Sequence, residues 1–147
     1  MQKSLILIRH GHRDNSRREL DNGLDAKGKE QARAIKQFFL DRFEPNERQS
    51  GLWIVSSPKL RCVETLSPLT KALDRQLDQH PDLDEQSSRE GLAEVKIRVQ
   101  GFLNEWLRSK SGITVVCSHG DWSSVASASC SFITAAEVAV CGTRMRT

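Results

Sequence analysis

Arg9, His10 and Gly11 form a segment whose residue types suit the binding and transfer of an anion. A guanidinium forms paired hydrogen bonds with phosphate oxygens, an imidazole can attack phosphorus, and a glycine lets the backbone come close to a ligand. The segment directly follows the apolar run 5–8, which is typical of a short strand buried on both faces. The alternative is a strand that ends in a solvated basic turn, because short motifs also arise by chance.

Two later segments repeat this arrangement of an apolar run followed by polar residues. Arg61 lies in the stretch 56–65, which follows the apolar run 52–55. His119 follows the apolar run 113–117. In an open α/β sheet, ligands bind at the carboxyl ends of the strands, so the polar residues of all three segments are expected to meet at one edge.

Phosphate is the anion that best explains this group of residues. Arg9, Arg61 and His119 would neutralise the three equatorial oxygens of a phosphoryl group. A neutral nitrogen of His10 would attack phosphorus in line with the leaving oxygen, and the intermediate would be a phosphohistidine. A lone histidine or arginine after a strand is usually structural, but three coincident cases favour a site.

The elements that must position these residues alternate along the chain. A helix is predicted after Asp25, whose carboxylate can cap free amide groups, and another after Ser57, which precedes a proline. A third is predicted over residues 92–107, and residues 137–141 are predicted to form a last strand at the sheet edge. This alternation predicts an α/β fold, a three-layer sandwich with a mainly parallel central sheet flanked by helices, in a single domain of residues 1–147.

Three further expectations concern details of these elements. Pro68 is expected to kink or interrupt the second helix. Residues 44–51 and 74–89 are expected to form loops, and long loops in compact domains tend to be functional or disordered. The first helix is expected to bury a stripe of apolar side chains: Ala32, Ile35, Phe38, Phe39 and Phe43.

Composition limits the classes of partner and compartment. Lys and Arg exceed Asp and Glu by 22 to 19, and this net charge of +3 without a basic stripe argues against a nucleic-acid-binding protein. The four cysteines lack the paired spacing of zinc or redox sites and are expected to be reduced core thiols. No apolar run approaches the roughly 18 residues of a membrane span, so no membrane association is expected and the protein should be soluble and cytoplasmic.

The three polar segments resemble the signature segments of the histidine phosphatase superfamily, also called the phosphoglycerate mutase-like family. The segment 56–65 is the most specific match, in its serine pair, arginine and threonine. The resemblance implies that His10 is the phosphorylated nucleophile, that Arg9, Arg61 and His119 bind the phosphoryl group, and that a carboxylic acid protonates the leaving oxygen.

The resemblance also indicates where this acid lies. Leu83, Asp84 and Glu85 are similar to the leucine, any residue, glutamate segment that often carries it, so Glu85 is the predicted acid, with Asp84 and Glu90 as alternatives. The aromatic residue and glycine of the fuller pattern are missing here. Some small phosphohistidine phosphatases of the family act without such an acid, and a solvated loop carboxylate is the other interpretation of Glu85.

The chain departs from the family after Gly11. Many members carry an acidic or amide residue, a threonine and then an asparagine that touches phosphate, whereas this chain has His12, Arg13 and, one place early, Asn15. Arg13 either adds positive charge to the pocket or lies on the surface. Arg13, Asn15 and Gly120 are predicted to bind substrate. His12 is expected to be a rim residue and not a metal ligand, because no carboxylate or cysteine is evident nearby.

Three functions are compatible with these residues. The first is a phosphatase that needs no metal or cofactor and hydrolyses phosphomonoesters or protein phosphohistidine. The second is a phosphoglycerate mutase-like phosphotransferase, and the third is a catalytically weak module that binds a phosphorylated ligand. The short chain favours hydrolysis, because the mutases that it resembles carry longer insertions that shield the phosphoenzyme from water. The expected partner is a phosphorylated small molecule or phosphoprotein, and the sequence indicates no oligomeric state.

Overall fold

The computed structural model describes residues 3–49, 51–130 and 136–141, and within them a single sheet of parallel strands. The strands are β1 (Lys3–Arg9), β2 (Leu52–Ser56), β3 (Asp78–Gln79), β4 (Ile113–Ser118) and β5 (Ala136–Cys141). Their order in the sheet is β3-β2-β4-β1-β5, and every neighbouring pair is parallel. The predicted parallel sheet is therefore confirmed, and the last strand lies at an edge as expected.

Helices cover both faces of this sheet. They are α1 (Ala26–Arg42), α2 (Pro45–Arg48), α3 (Leu60–Leu73), α4 (Leu92–Arg108) and α5 (Gly120–Cys130). Buried side chains of α1 and α3 pack on one face of the sheet, and those of α4 and α5 pack on the other. The predicted three-layer α/β sandwich is thus confirmed. Within the described segments, no helix has the length and apolar character needed to cross a membrane.

The side chains of β1 alternate between two separate cores. Leu5 and Leu7 pack with the α4 and α5 side, where Trp106 is 0 % exposed, and Ile6 and Ile8 pack with the α1 and α3 side. A shift of the strand by one residue would exchange the two sets, so the register of β1 is strongly specified. The register of β1 in turn determines the position along the sheet at which the chain leaves it after Arg9.

Helix α1 begins as predicted, but one residue of its apolar stripe faces solvent. The Asp25 carboxylate accepts a hydrogen bond from the Gly28 amide at 2.8 Å and caps the helix. Phe39 is buried, whereas Phe38 is 42 % exposed, so its predicted burial is wrong. Adjacent residues project about 100° apart on a helix, and the core accommodates only one of the two rings.

Helix α3 differs from the prediction at its start and at its proline. It begins at Leu60, and Asp21 satisfies the Leu60 amide, with its Oδ1 at 3.0 Å, in the place of the predicted Ser57 cap. Pro68 lies inside α3 without interrupting it. A proline removes one hydrogen bond, and the burial of Leu66 and Leu69 on either side offsets that loss.

Both predicted loops contain short regular elements. Residues 44–51 include α2, because the Glu47 carboxylate accepts from the Glu44 amide at 2.7 Å and forms a capping box. Residues 74–89 include β3 and a 3₁₀ turn at Pro81–Leu83. The loop expectation is therefore wrong for these parts, since capping and edge pairing satisfy backbone groups that a polar sequence alone does not reveal.

Candidate active site

The carboxyl ends of β1, β2 and β4 place the three predicted segments side by side. In the sheet, Arg9 pairs with Ser118, so the residues that follow, His10 and His119, are neighbours. Their ring centroids lie 5.3 Å apart. Arg61 reaches both rings from the first turn of α3, with Nε 3.3 Å from His10 Nε2 and Nη2 3.3 Å from His119 Nδ1. The structure thus brings these four residues to one sheet edge.

Hydrogen bonding selects the tautomer of His10. A guanidinium has only donors, so the Arg61 Nε–H group points at a lone pair on His10 Nε2. The other nitrogen, Nδ1, then carries the proton and donates to the Gly11 carbonyl at 2.8 Å. The lone pair of His10 Nε2 therefore points towards Arg61. This arrangement presents an unprotonated nitrogen beside a phosphate-binding group.

The surroundings of His10 also favour its neutral form. The pKa of His10 is lowered to about 4, mainly by burial. The hydrogen bond to Gly11 opposes this shift, and positive charge at His119, Arg61 and Arg9 adds to it. Because a nucleophilic imidazole must be unprotonated, this environment keeps Nε2 available at neutral pH.

We expect the His10 ring to stay neutral until the pH falls to about 4, well below the ordinary 6.5. Between these values the unfolded chain binds a proton that the folded chain does not, so stability falls as pH falls through this window. NMR titration of the imidazole carbons, assigned with a His10→Asn variant, measures the midpoint. A midpoint near 6.5 would contradict the described environment.

Arg61 is held in place on several sides. Its side chain is 3 % exposed, and its Nη2 donates to the Glu85 carboxylate at 2.6 Å. The Thr65 hydroxyl donates to the Arg61 carbonyl at 2.6 Å and accepts from the Gly11 amide at 2.9 Å, which joins α3 to the turn after β1. The guanidinium is therefore oriented before any ligand arrives.

Replacing Arg61 with alanine should lower kcat/KM by roughly tenfold or more, because a hydrogen bond to a charged group contributes about 1.5 to 3 kcal/mol. Steady-state kinetics and inhibition by orthophosphate measure the loss. The control is Arg75→Ala, at an exposed arginine just beyond α3. Unchanged orthophosphate inhibition in a folded Arg61→Ala variant would rule out the phosphate-binding role.

His119 lies behind His10 and Arg61 and is 3 % exposed. Its Nδ1 faces the Arg61 donor, so Nε2 carries the proton of the neutral ring and faces the Ser57 hydroxyl at 3.0 Å. Ser57, predicted to cap a helix, instead orients this ring. Cys62 lies 3.7 Å from the same nitrogen.

Two cysteines can be compared with the prediction of reduced core thiols. Cys62 and Cys117 are buried and free, which confirms the expectation for these two. The side chains of Cys130 and Cys141 lie outside what the structure describes. Both thiols belong to the core on the α1 and α3 side of the sheet.

Of the three candidate acids, Glu85 is the one that lines the cleft with His10 and Arg61. Asp84 Oδ1 lies 4.0 Å from His119 Nε2 and 3.9 Å from Lys59 Nζ. Glu90 is bound to Arg98 at 2.8 Å. The structure therefore places Glu85 in the lining of the cleft and Glu90 outside it, whereas the sequence predicted Glu85 and kept Glu90 as an alternative.

Arg98 forms hydrogen bonds that hold the segment carrying Glu85 in place. Its Nη1 donates to the carbonyls of Asp82 and Asp84 at 2.8 and 3.0 Å. The Trp122 indole also donates to the Asp82 carbonyl, at 2.7 Å, and the Ser118 hydroxyl donates to that of Leu83, at 2.6 Å. A segment held by this many backbone contacts keeps a defined position beside the cleft. The sequence offered no signal for Arg98, because these contacts are nonlocal.

Two glycines let the turn after β1 pack against α1. A Cβ on Gly28 would lie 2.1 Å from the His12 carbonyl oxygen, and one on Gly11 would lie 3.0 Å from the Gly28 carbonyl oxygen. Gln31 completes this contact by accepting from the His12 amide at 2.7 Å. Only glycine at position 28 allows the approach that positions the turn.

These elements enclose a cleft of about 480 Å³. The predicted substrate-binding residues Arg13 and Asn15 both line it. Gly120 lies instead against Arg9, where an added Cβ would be 3.3 Å from the guanidinium carbon. The lining comprises Arg9, His10, Gly11, His12, Arg13, Asn15, Lys27, Gln31, Arg61 and Glu85.

His12 has a carboxylate neighbour that the sequence did not indicate. Its Nδ1 contacts the Asp25 carboxylate, so the expectation that no such group lies nearby is wrong. The reason is that Asp25, the N-cap residue of α1, lies next to the turn after β1. His12 does lie at the rim, with a side chain 48 % exposed. In the described part of the chain, no group of three or more His, Cys, Asp or Glu side chains is arranged to hold a metal ion.

The chain is similar to a known protein family in sequence and to solved structures in fold. Residues 5–89 match the family model described as the histidine phosphatase superfamily (branch 1). No curated protein matches the chain in sequence.

Solved structures share the fold. The mycobacterial glucosyl-3-phosphoglycerate phosphatase is 20 % identical, with a TM-score of 0.68 and coverage of 88 % of this chain and 82 % of that one. A putative alpha-ribazole-5'-P phosphatase from Escherichia coli is 17 % identical, with a TM-score of 0.71 and coverage of 88 % and 80 %. A phosphoserine phosphatase mutant from Entamoeba histolytica, in complex with phosphoserine, is 19 % identical, with a TM-score of 0.64 and coverage of 83 % and 77 %.

Proposed function

Since the chain belongs to the histidine phosphatase superfamily, we propose that it is a metal-independent phosphatase that acts through a phosphohistidine on His10. The observation that carries the proposal is the contact of Arg61 with His10 Nε2 and His119 Nδ1, both at 3.3 Å. The Arg61 guanidinium thus contacts both the proposed nucleophile, His10, and a second residue proposed to bind the phosphoryl oxygens, His119.

In the first step, Arg9 and Arg61 bind the phosphoryl oxygens, and His119 donates to one of them when its Nδ1 is also protonated. His10 Nε2 attacks phosphorus. The new N–P bond forms as the P–O bond to the leaving group breaks, and charge that develops on the equatorial oxygens is stabilised by the arginines. Glu85, in its protonated form, gives its proton to the leaving oxygen. For this its side chain turns from Arg61, where Oε2 lies 2.6 Å from Nη2, towards the leaving group.

In the second step, water attacks the phosphohistidine. The Glu85 carboxylate accepts a proton from the water, the N–P bond breaks, and orthophosphate leaves with His10 regenerated. The Glu85 side chain is 44 % exposed, so water reaches the place where it is needed. This access favours hydrolysis over transfer of the phosphoryl group to another position of a substrate.

The substrate class in this proposal is a phosphomonoester or a protein phosphohistidine. The names of the similar structures describe phosphatases of phosphoserine and of glucosyl-3-phosphoglycerate, which supports a phosphorylated small molecule. The cleft of about 480 Å³ has room for a phosphoryl group and a small alcohol.

Trapping the intermediate tests the proposal. The protein is mixed with a ³²P-labelled phosphomonoester in the presence of a chelator and quenched in alkali, which preserves phosphohistidine. Label on the wild type that is released by acid and is missing from His10→Asn supports the proposal. Label that moves to another position of the substrate would identify a phosphotransferase. Tight binding of the ester with neither label nor phosphate release would identify a ligand-binding module.

A further inference from the structure

The cleft extends beyond the groups that would hold a phosphoryl group. On the side of the turn after β1 it is lined by Arg13 and Lys27, which the proposed chemistry does not use. Lys27 stands in the first turn of α1, and Arg13 is tied to the residue before the α1 cap by a backbone bridge to Leu24. Two cations thus face the same cleft as His10, from neighbouring elements.

Arg13 is held in a fixed orientation. Its Nη2 donates to the carbonyls of Arg18 and Leu20, at 3.4 and 3.1 Å. Its Nε is buried and has no hydrogen-bond partner in the described part of the chain. The guanidinium is thus held against the backbone at residues 18–20 while the residue lines the cleft, which fixes where its positive charge lies.

The acidic groups around this end of the cleft are already engaged. The Asp14 carboxylate accepts from the Ser16 amide at 2.8 Å, and the Asp25 carboxylate accepts from Gly28 and contacts His12. Among the described residues, neither Arg13 nor Lys27 has a carboxylate within ion-pair distance. The charge of Arg13 does interact with Asp14, and that of Lys27 with Asp25, but without a direct ion pair both cations can still contact a ligand.

The charges of the residues that line the cleft also indicate a place for a second anion. The cleft is lined by four cationic side chains, of which Arg9 and Arg61 would bind the phosphoryl group, and by one carboxylate, Glu85. With a phosphoryl dianion bound, one positive charge remains if Glu85 is ionised and two remain if Glu85 is protonated. A second anionic group on the substrate would therefore meet positive charge among the residues that line the cleft.

We infer that Arg13 and Lys27 form a subsite for a second anionic group, so that the preferred substrate carries a carboxylate or a further phosphate on its leaving alcohol. The inference rests on the proposed function, because it assumes that the first anion is the phosphoryl group at His10. Arg13, with its oriented guanidinium, determines the preference, and Lys27 adds charge to it.

Binding to a His10→Ala protein tests the subsite without turnover. Calorimetry compares O-phosphoserine with O-phosphoethanolamine, which differ in a carboxylate, and propane-1,3-diol bisphosphate with its monophosphate, which differ in a phosphate. We expect the more anionic member of at least one pair to bind about tenfold more tightly at low salt, the size of one charged hydrogen bond. The pair that shows the preference identifies the second group.

Variants in the same background locate the effect. Arg13→Gln should reduce the preference to about threefold or less, and Lys27→Gln should reduce it in part. Arg18→Gln and Lys29→Gln remove the same charge from the same loop and helix at positions that do not line the cleft, and they should leave the preference unchanged. Equal affinities within both pairs, or an equal loss in Arg18→Gln, would overturn the subsite.

Hydrolysis by the wild type separates this result from the proposed function. Hydrolysis of the probes together with equal affinities within both pairs would overturn the subsite and leave the phosphatase standing. A preference in binding that depends on Arg13, without hydrolysis of any probe, would support the subsite and contradict the phosphatase.

Discussion

The His10→Ala variant is expected to lose phosphoenzyme formation entirely and to turn over more slowly by a factor on the order of 10⁴ or more, as other enzymes do when their nucleophile is deleted. The reason is that no other unprotonated nitrogen is placed to attack. His119 is 3 % exposed and is not among the residues that line the cleft. His12 lies at the rim with its Nδ1 against the Asp25 carboxylate, and Arg61 contacts His10 rather than His12. Phosphate release and alkali-stable label on the protein measure the two losses.

The matched control for this experiment is His80→Ala. His80 packs edge to face against Phe102, contacts Glu105 and accepts from the Asp82 amide. It does not line the cleft, so its removal should leave phosphoenzyme formation intact. Activity of His10→Ala within tenfold of the wild type would exclude His10 as the nucleophile.

The Glu85→Gln variant should be impaired in a way that depends on the leaving group. With an alkyl phosphate, whose leaving alkoxide must be protonated, the expected loss is about 10² to 10⁴. With p-nitrophenyl phosphate or phosphohistidine, whose leaving groups need little protonation, the loss should be much smaller. Glutamine still accepts a hydrogen bond from Arg61 but has no acidic proton, so the comparison isolates proton donation. Steady-state kinetics on both substrate types measure it.

Two neighbouring carboxylates serve as controls for Glu85. Asp84→Asn should have little effect, because the side chain lies outside the cleft lining and asparagine can still accept from the Glu85 amide. Glu90→Gln loosens the contact with Arg98 and should lower activity on both substrate types alike, because it acts through the position of the segment. An equal loss in Glu85→Gln on both types would assign Glu85 a positioning role instead.

Much of the architecture could be predicted because buried parallel strands have continuous apolar sequences. Residues 5–8, 52–55 and 113–117 each identify a strand, and in a parallel sheet their carboxyl ends must share one edge. The meeting of His10 with His119 follows from that rule. The roles of these residues in catalysis stay predictions, since geometry alone does not show turnover.

The supporting contacts could not be predicted, because they join residues far apart in the chain. Asp21 caps α3 from a polar stretch that carries no helical signal, and Arg98 reaches back from α4 to the carbonyls beside Glu85. Nothing in the local pattern distinguishes these side chains from other charged residues on a surface. The error at Phe38 has a related origin, since the choice between adjacent rings depends on the shape of the core and not on helical spacing.

Because β4 lies between β1 and β2, we expect the cleft to be completed late in folding. Leu5 pairs with Thr114 and Trp53 also pairs with Thr114, so the first two strands meet only through the fourth. A chain without β4 lacks the strand that joins β1 to β2, so only the packing of α3 on the turn after β1 would hold His10 near Arg61. Because pairings between such distant residues form slowly, the anion-binding function should appear only in the final, rate-limiting phase of refolding.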